Sequence, residues 1–280
     1  MTFLSLLLVL ALIQWWGSGA PLQRDGWFFS YADWLDSRPA LTWPAGRLLL
    51  AVLVPVLALW LVTWWVATSL TPIWVFLIAV PVLLYSLGRG DFTEQVRNYI
   101  EASYRKDSVS AALHLAQLQG KEVEDRDPED WPTLHRQALR AIAYRGFERM
   151  FAVIFWFFIL GPAGALLYRL SLLYRQREPS ALVDRWVWLL EWPVVRLMGL
   201  TWAMAGNFDT CFFRCQRDSL DVEKRTSAVL YDHALGALGL PDEVCGEESV
   251  TLDSISASQP LFSRSLLIWV CFLALVTLLA

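Results

Sequence analysis

Two uninterrupted apolar runs, residues 48–66 and 150–168, constrain this chain more than any motif it carries. Neither holds a charged residue, and each approaches the roughly 20 residues an α-helix needs to cross a bilayer. Backbone polar groups in lipid are satisfied only inside helices or closed barrels, so such runs point to helices. Further apolar segments lie at 3–16, 73–86, 187–205 and 265–280. The composition agrees: 56% of residues are hydrophobic and only 18% charged, with a mean hydropathy of +0.42. Sixteen Trp suit membrane–water interfaces. A net charge of −4 excludes nucleic-acid binding, which needs a basic stripe. The fold class is therefore all-α: a polytopic helical membrane protein with cytoplasmic helical regions. The first 16 residues lack a basic n-region, and cleavage after Ala20 would leave Pro21 first, so they read as a retained membrane segment.

Five regions follow: 1–86, N-terminal membrane segments with a hairpin turning at 69–72; 87–149, a cytoplasmic helical region; 150–205, membrane segments with a Gly-Pro kink; 206–264, a second cytoplasmic region; and 265–280, a C-terminal membrane segment. Ten Lys/Arg between Gly88 and Arg149, against none in 68–72, place 87–149 in the cytoplasm. Six crossings put 17–47 and 206–264 on the same side but leave 169–186 outside, with Arg169, Arg175, Arg177 and Arg185. A four-span alternative leaves all of 169–264 outside.

In 87–149, Phe92, Val96, Tyr99, Ile100 and Tyr104 recur at helical spacing, and Glu101–Arg105 is a supporting i,i+4 pair. Asp107 or Ser108 caps the next helix, which Gly120 ends; Thr133 caps a third that runs on into the membrane. Residues 120–132 form an acidic, Pro-punctuated loop. In 206–264 one helix is expected near 220–238, followed by a surface loop through 260.

Chemistry-bearing residues are sparse. Gly88-Arg89-Gly90-Asp91 opens a helix, where backbone N–H groups can hold a phosphate; the plainer reading is a chain turn with Asp91 as cap. Arg136, Arg140, Arg145 and Arg149 form i,i+4 pairs approaching the bilayer, suited to phosphate or headgroups, or simply to orienting the span. Glu191 and Arg196 are the ionisable residues within a candidate span, and charges there face protein or a polar cavity. Cys211 and Cys215 share a helix face, yet zinc-site spacing is lacking and His233 is distant in sequence. Asp209, Asp218, Asp221 and Asp232 could hold Mg²⁺, but acids on a solvated helix surface are the commoner reading. His114, His135 and His233 do not cluster, and no catalytic or metal set emerges. The small face Gly199, Ala203, Gly206 suits close helix packing, within the chain or in a homo-oligomer. Gly161, Pro162 and Gly164 read as a structural kink in the 150–168 span.

The order of features, with Leu87–Asp91 and the run Gly161 to Arg169, resembles AmpE, an inner-membrane family linked to β-lactamase induction in Gram-negative bacteria. It is more distantly similar to the adenosylcobinamide-phosphate synthases of cobalamin biosynthesis. Against those synthases the apolar frame persists while polar motif residues differ: Tyr144 to Arg149 lacks their Asn and Asp, Ser171 stands where they continue with Asn, and Pro193 to Leu197 only partly matches their Pro-Ala-Arg-Leu. The resemblance implies a non-catalytic regulatory or accessory protein of cell-wall recycling in the bacterial inner membrane. It implies a cytosolic anhydro-muramyl-peptide amidase as partner; independently, basic residues converging at one membrane face point to a ligand site drawn from Arg89, Asp91, Arg145, Arg149 and Arg196. The alternatives are a membrane enzyme using ATP or another phosphorylated substrate, which alone would call for a nucleotide or Mg²⁺ cofactor, and a muropeptide-type transporter.

Overall fold

The computed structural model describes residues 2–16, 24–38, 43–69, 71–87, 92–120, 130–218, 224–240 and 250–279. Among these the chain is helical throughout, with no strand. The helices are α1 (Thr2–Trp16), α2 (Gly26–Asp36), α3 (Pro44–Ser69), α4 (Pro72–Ser86), α5 (Phe92–Tyr104), α6 (Ser108–Gln119) and α7 (Trp131–Gly146). After a π-helical turn at Phe147–Phe151 come α8 (Ala152–Leu160), α9 (Pro162–Arg177), α10 (Ala181–Ala205), α11 (Phe208–Asp218), α12 (Thr226–Ala237) and α13 (Leu252–Leu279). They divide into two units, residues 1–90 with 149–191 and residues 91–148 with 192–280.

The first unit is built on α9. Every residue from Pro162 to Tyr174 is buried, and α3, α4 and α8 pack around this helix. The expected single kinked span over 150–168 is not what forms. Gly161 adopts φ 65°, ψ −153°, a region essentially reserved for glycine, and splits the run into α8 and α9. Pro162 sits in the first turn of α9, where its missing N–H is not needed. A Cβ on Gly164 would collide with the Trp156 carbonyl oxygen, so this glycine lets α9 pack back against α8. At 1.5 Å per residue, the nine residues of α8 reach only about 14 Å, too short to cross about 30 Å of hydrocarbon.

Ion pairs correct the expected topology of this unit. The Arg169 guanidinium in α9 lies 3.2 Å from the Asp25 carboxylate, both buried, and Tyr85 donates to the same carboxylate at 3.0 Å. Arg177 reaches Asp33 and Asp36, each at 2.6 Å. Residues 24–38 therefore lie against the C-terminal half of α9. The six-crossing scheme, which separates 17–47 from 169–186 by a membrane, does not hold, because charges on opposite faces cannot pair directly.

The second unit packs α5, α6, α7, α12 and α13 around Tyr99, Leu115, Leu118, Leu139, Leu235 and Ile255. Asp107 caps α6 by accepting from the Ser110 backbone N–H at 3.0 Å, and Gly120 ends it at φ 66°, both as the sequence predicts. Glu101 and Arg105 pair. α7 begins at Trp131, earlier than the predicted Thr133 cap, because Pro132 serves its first turn. Residues 121–129 of the acidic loop lie outside the described residues. The helix expected from 220 begins at Thr226 in the described region. α2 and α11, 11 residues each, were not expected. α13 starts at Leu252, so 252–260, expected as surface loop, is helical and buries Ile255 and Ser258. Its serines satisfy their hydroxyls locally: Ser256 donates to the Leu252 carbonyl at 3.1 Å and Ser258 to that of Ile255 at 2.6 Å.

Candidate functional site

Of the predicted ligand residues, Arg145 and Arg196 of the second unit have separate partners. Arg89 and Asp91 lie outside the described residues. Arg145 is absorbed by the fold: it donates to the carbonyls of Leu118 at 2.9 Å and Gln119 at 2.7 Å and pairs with the buried Glu148 at 3.1 Å. These carbonyls are left open by the end of α6, so a guanidinium there completes a helix C-terminus. Arg149 sits half-buried in the π-helical turn. Arg196 lies 4.4 Å over the Trp192 ring and donates to the Asp218 carbonyl at 3.5 Å. Glu191, the other ionisable residue of that candidate span, is buried and accepts from the Tyr168 hydroxyl at 3.1 Å.

The second unit does assemble a different polar site, starting from α7. Arg136 and Arg140, one turn apart, line a cavity of about 380 Å³ together with Thr133, Gln137, Tyr231 and Asp232. Thr133 accepts from Arg136 at 3.2 Å and Ser227 from Arg140 at 3.3 Å. The two hydroxyls steer the guanidinium groups without neutralising them, which leaves a cationic wall suited to an anion. Burial and the neighbouring Asp218 charge raise the Asp232 carboxyl above its usual range.

From Asp232 the polar groups continue inward. Lys224 lies 3.8 Å from Asp232 and 2.7 Å from the buried Asp218. Arg217 stands 4.0 Å from Asp232 and 3.5 Å from Asp218. Asp218 and Asp232 thus converge on the same ammonium and guanidinium. Asp221 lies outside the described residues. Among the described residues no group of three or more His, Cys, Asp or Glu has the geometry of a metal site.

Behind Asp218 lies His233, with Nε2 4.0 Å from its carboxylate. Cys211 and Cys215 stand on the same face of α11, their sulfurs 4.0 Å apart. The second thiol and the imidazole converge on Gly199 of α10: a Cβ there would be 2.7 Å from Cys215 Sγ and 2.8 Å from His233 Nδ1. The small face of α10 thus receives α11 and α12 of its own unit, and Gly206 likewise abuts the Ala237 carbonyl. The sequence held a signal for this cluster, since Cys211, Cys215 and Asp218 follow i, i+4, i+7 spacing on one helical face. The missing information was that α12 brings His233 to that face.

Comparison with known proteins places the chain. The family described as "Regulatory signalling modulator protein AmpE" matches residues 1–232. "Cobalamin biosynthesis protein CobD" of Stutzerimonas stutzeri (strain A1501) is 27% identical over 203 residues, covering 68% of this chain and 63% of that protein. The aligned region therefore spans less than two thirds of that relative's length. No solved structure matches at a significant level.

Proposed function

Because the chain belongs to the AmpE family, we propose that it is a multi-pass inner-membrane regulatory protein acting in β-lactamase induction and cell-wall recycling, and that it responds to an anionic ligand. Support for the membrane comes from α3 and α13, whose most apolar 18-residue windows are only 22% buried. Leu57, Trp60, Leu61 and Trp65 on α3, and Leu267, Phe272 and Leu275 on α13, are exposed. The core helix of a soluble protein hides such a surface, whereas lipid accepts it. The shorter apolar helices at 3–13 and 73–86 complete four crossings by α1, α3, α4 and α13. The α8–α9 pair enters and returns on one side. Arg169, Arg175 and Arg177 then share the cytoplasmic side with the ten basic residues of 88–149, in line with the positive-inside rule.

The observation that carries ligand response is the groove between α7 and α12, with Arg136 and Arg140 on one wall and Asp232 opposite. A phosphorylated or carboxylated solute fits this arrangement, and a muropeptide offers the carboxylates. The same face of the second unit is the proposed docking surface for a cytosolic anhydro-muramyl-peptide amidase. Native mass spectrometry of protein purified in nanodiscs, followed by titration of the bound species onto wild type and R136A/R140A, tests the reading. A carboxylated or phosphorylated ligand lost in the double variant supports it; equal binding by both proteins refutes the site. A second reading, a membrane enzyme using a phosphorylated substrate, is favoured by the 27% identity to the cobalamin-biosynthesis protein. Sustained ATP turnover by the purified protein would support that reading instead.

A further inference from the structure

The α11 thiol pair lies outside the ligand groove and carries its own chemistry. The helix sets Cys211 and Cys215 one turn apart, with their sulfurs 4.0 Å from each other. Ideal helix geometry puts Cα atoms at i and i+4 about 6.2 Å apart, inside the roughly 4.4–6.8 Å range that a disulfide bridges. The two thiols are unequal. Cys211 is buried and directs its sulfur at the carbonyls of His233, 3.4 Å, and Gly199, 3.6 Å. Cys215 is half-buried and shares the Gly199 notch with the His233 ring. Nε2 of that ring lies 4.0 Å from the buried Asp218 carboxylate, so a thiol, an imidazole and a carboxylate stand in sequence behind the α10 notch.

We propose that Cys215 is a peroxide-reactive thiolate and that Cys211 resolves its oxidised form, making this pair a thiol–disulfide modification site. The oxidant is hydrogen peroxide or an organic hydroperoxide. Cys215 sulfur attacks one peroxide oxygen; the S–O bond forms, the O–O bond breaks, and the departing oxygen leaves as water or alcohol with the proton from His233. Cys211 sulfur then attacks the Cys215 sulfenic acid, the S–S bond forms, and hydroxide leaves as water with the Cys211 proton. Two thiol sulfurs give up two electrons and one peroxide accepts them, so the step balances. An acyl-transfer role does not fit, because α11 ends at Asp218 and the nearby backbone groups of its last turn are carbonyls, the wrong polarity for an oxyanion.

The electrostatics support the assignment of roles. Hydrogen bonding to Cys211 and to His233, with the His233 charge, lowers the Cys215 thiol below its usual range, against the opposing influence of burial and Asp218. The Cys215 contact and burial raise Cys211, despite nearby Arg214. Asp218 is itself held by Lys224 and Arg217, and Asp232 lies beyond them. Lowering a thiol's pKa raises its thiolate fraction at neutral pH but weakens each thiolate as a nucleophile. The discriminating observable is therefore the pH profile rather than the rate at pH 7.

The test uses full-length protein in nanodiscs, in a C245S/C271S background so that only these thiols remain. Hydrogen peroxide is expected to remove two hydrogens from the intact mass, reversibly with dithiothreitol. C211S should stop at a dimedone-trappable sulfenic acid on Cys215, and C215S should give neither product. Iodoacetamide labelling of Cys215 with Cys211 retained, read by peptide mass spectrometry under reducing conditions, should level off by about pH 7, and H233Q should move that midpoint up toward the free-thiol value of about 8.5. A profile of wild-type His233 that rises only through about pH 8.5 overturns the proposal, as does a peroxide product that forms no disulfide when both thiols are present. Because the first profile needs no change at His233, misfolding of H233Q leaves the proposal refutable.

Discussion

Replacing Asp25 by Leu should be among the most damaging single substitutions in the first unit, and replacing its partner as well should largely restore stability. The side chains of Arg169 and Asp25 are 8% and 2% exposed at a separation of 3.2 Å, and Tyr85 donates to the same carboxylate. Removing the carboxylate leaves a buried guanidinium without its counter-charge, which costs about 3–5 kcal/mol, and a tyrosine hydroxyl that loses an acceptor, about 1 kcal/mol more. D25L should therefore lose about 4–6 kcal/mol by these terms. R169M should also destabilise, since it removes the buried guanidinium that pairs with the carboxylate. In D25L/R169M both charges of the pair are gone, and such apolar replacements are commonly neutral or stabilising by about 1–4 kcal/mol. The double variant should then lie within about 2 kcal/mol of wild type, with a coupling energy above about 3 kcal/mol. Denaturant unfolding in detergent micelles, followed by tryptophan fluorescence and far-ultraviolet circular dichroism, gives all four corners of the cycle. Additive losses, or a D25L variant as stable as wild type, would refute the buried pair.

Three other outcomes follow from the geometry. G161A should lose about 1–3 kcal/mol because alanine is strained at φ 65°, ψ −153°; an unchanged midpoint in the same unfolding assay would show that the α8–α9 turn is absent. R145A should destabilise by about 2–4 kcal/mol, since it uncaps α6 and removes an ion pair of the buried Glu148; loss of ligand binding at unchanged stability would return Arg145 to the ligand site. In a background lacking the native cysteines, T71C should react with a membrane-impermeant maleimide in intact spheroplasts, and E178C only after lysis. Labelling of E178C in intact spheroplasts would contradict the shared side of 24–38 and 169–186.

Local order was legible in the sequence where short-range chemistry decides it. Asp107 and Gly120 bound α6 by cap and left-handed turn, and the spacing of Val96, Tyr99 and Ile100 marked α5. The composition likewise fixed an all-helical chain. What stayed hidden depends on contacts far apart in sequence. The 150–168 run reads as one span by hydropathy, and only the collision a Cβ would make between Gly164 and Trp156 shows that α9 folds back. Asp25 and Arg169 are 144 residues apart, so nothing local announces their pairing. The start of α13 was concealed by Ser-Ala-Ser-Gln-Pro, which resembles a loop until its hydroxyls are seen to close on their own helix. At the candidate site, the arginines of α7 were visible as a set. Sequence alone could not show that Arg145 serves the end of α6 while Arg136 and Arg140 face a cavity, nor that His233 meets Cys215.

The most direct measurement is β-lactamase induction in cells lacking this protein and complemented with either wild type or R136A/R140A, at matched membrane abundance. A regulator that acts through the α7–α12 groove predicts that wild type restores the inducible response while the double variant, equally stable and inserted, leaves the deletion phenotype. Full restoration by R136A/R140A would contradict regulation through that groove.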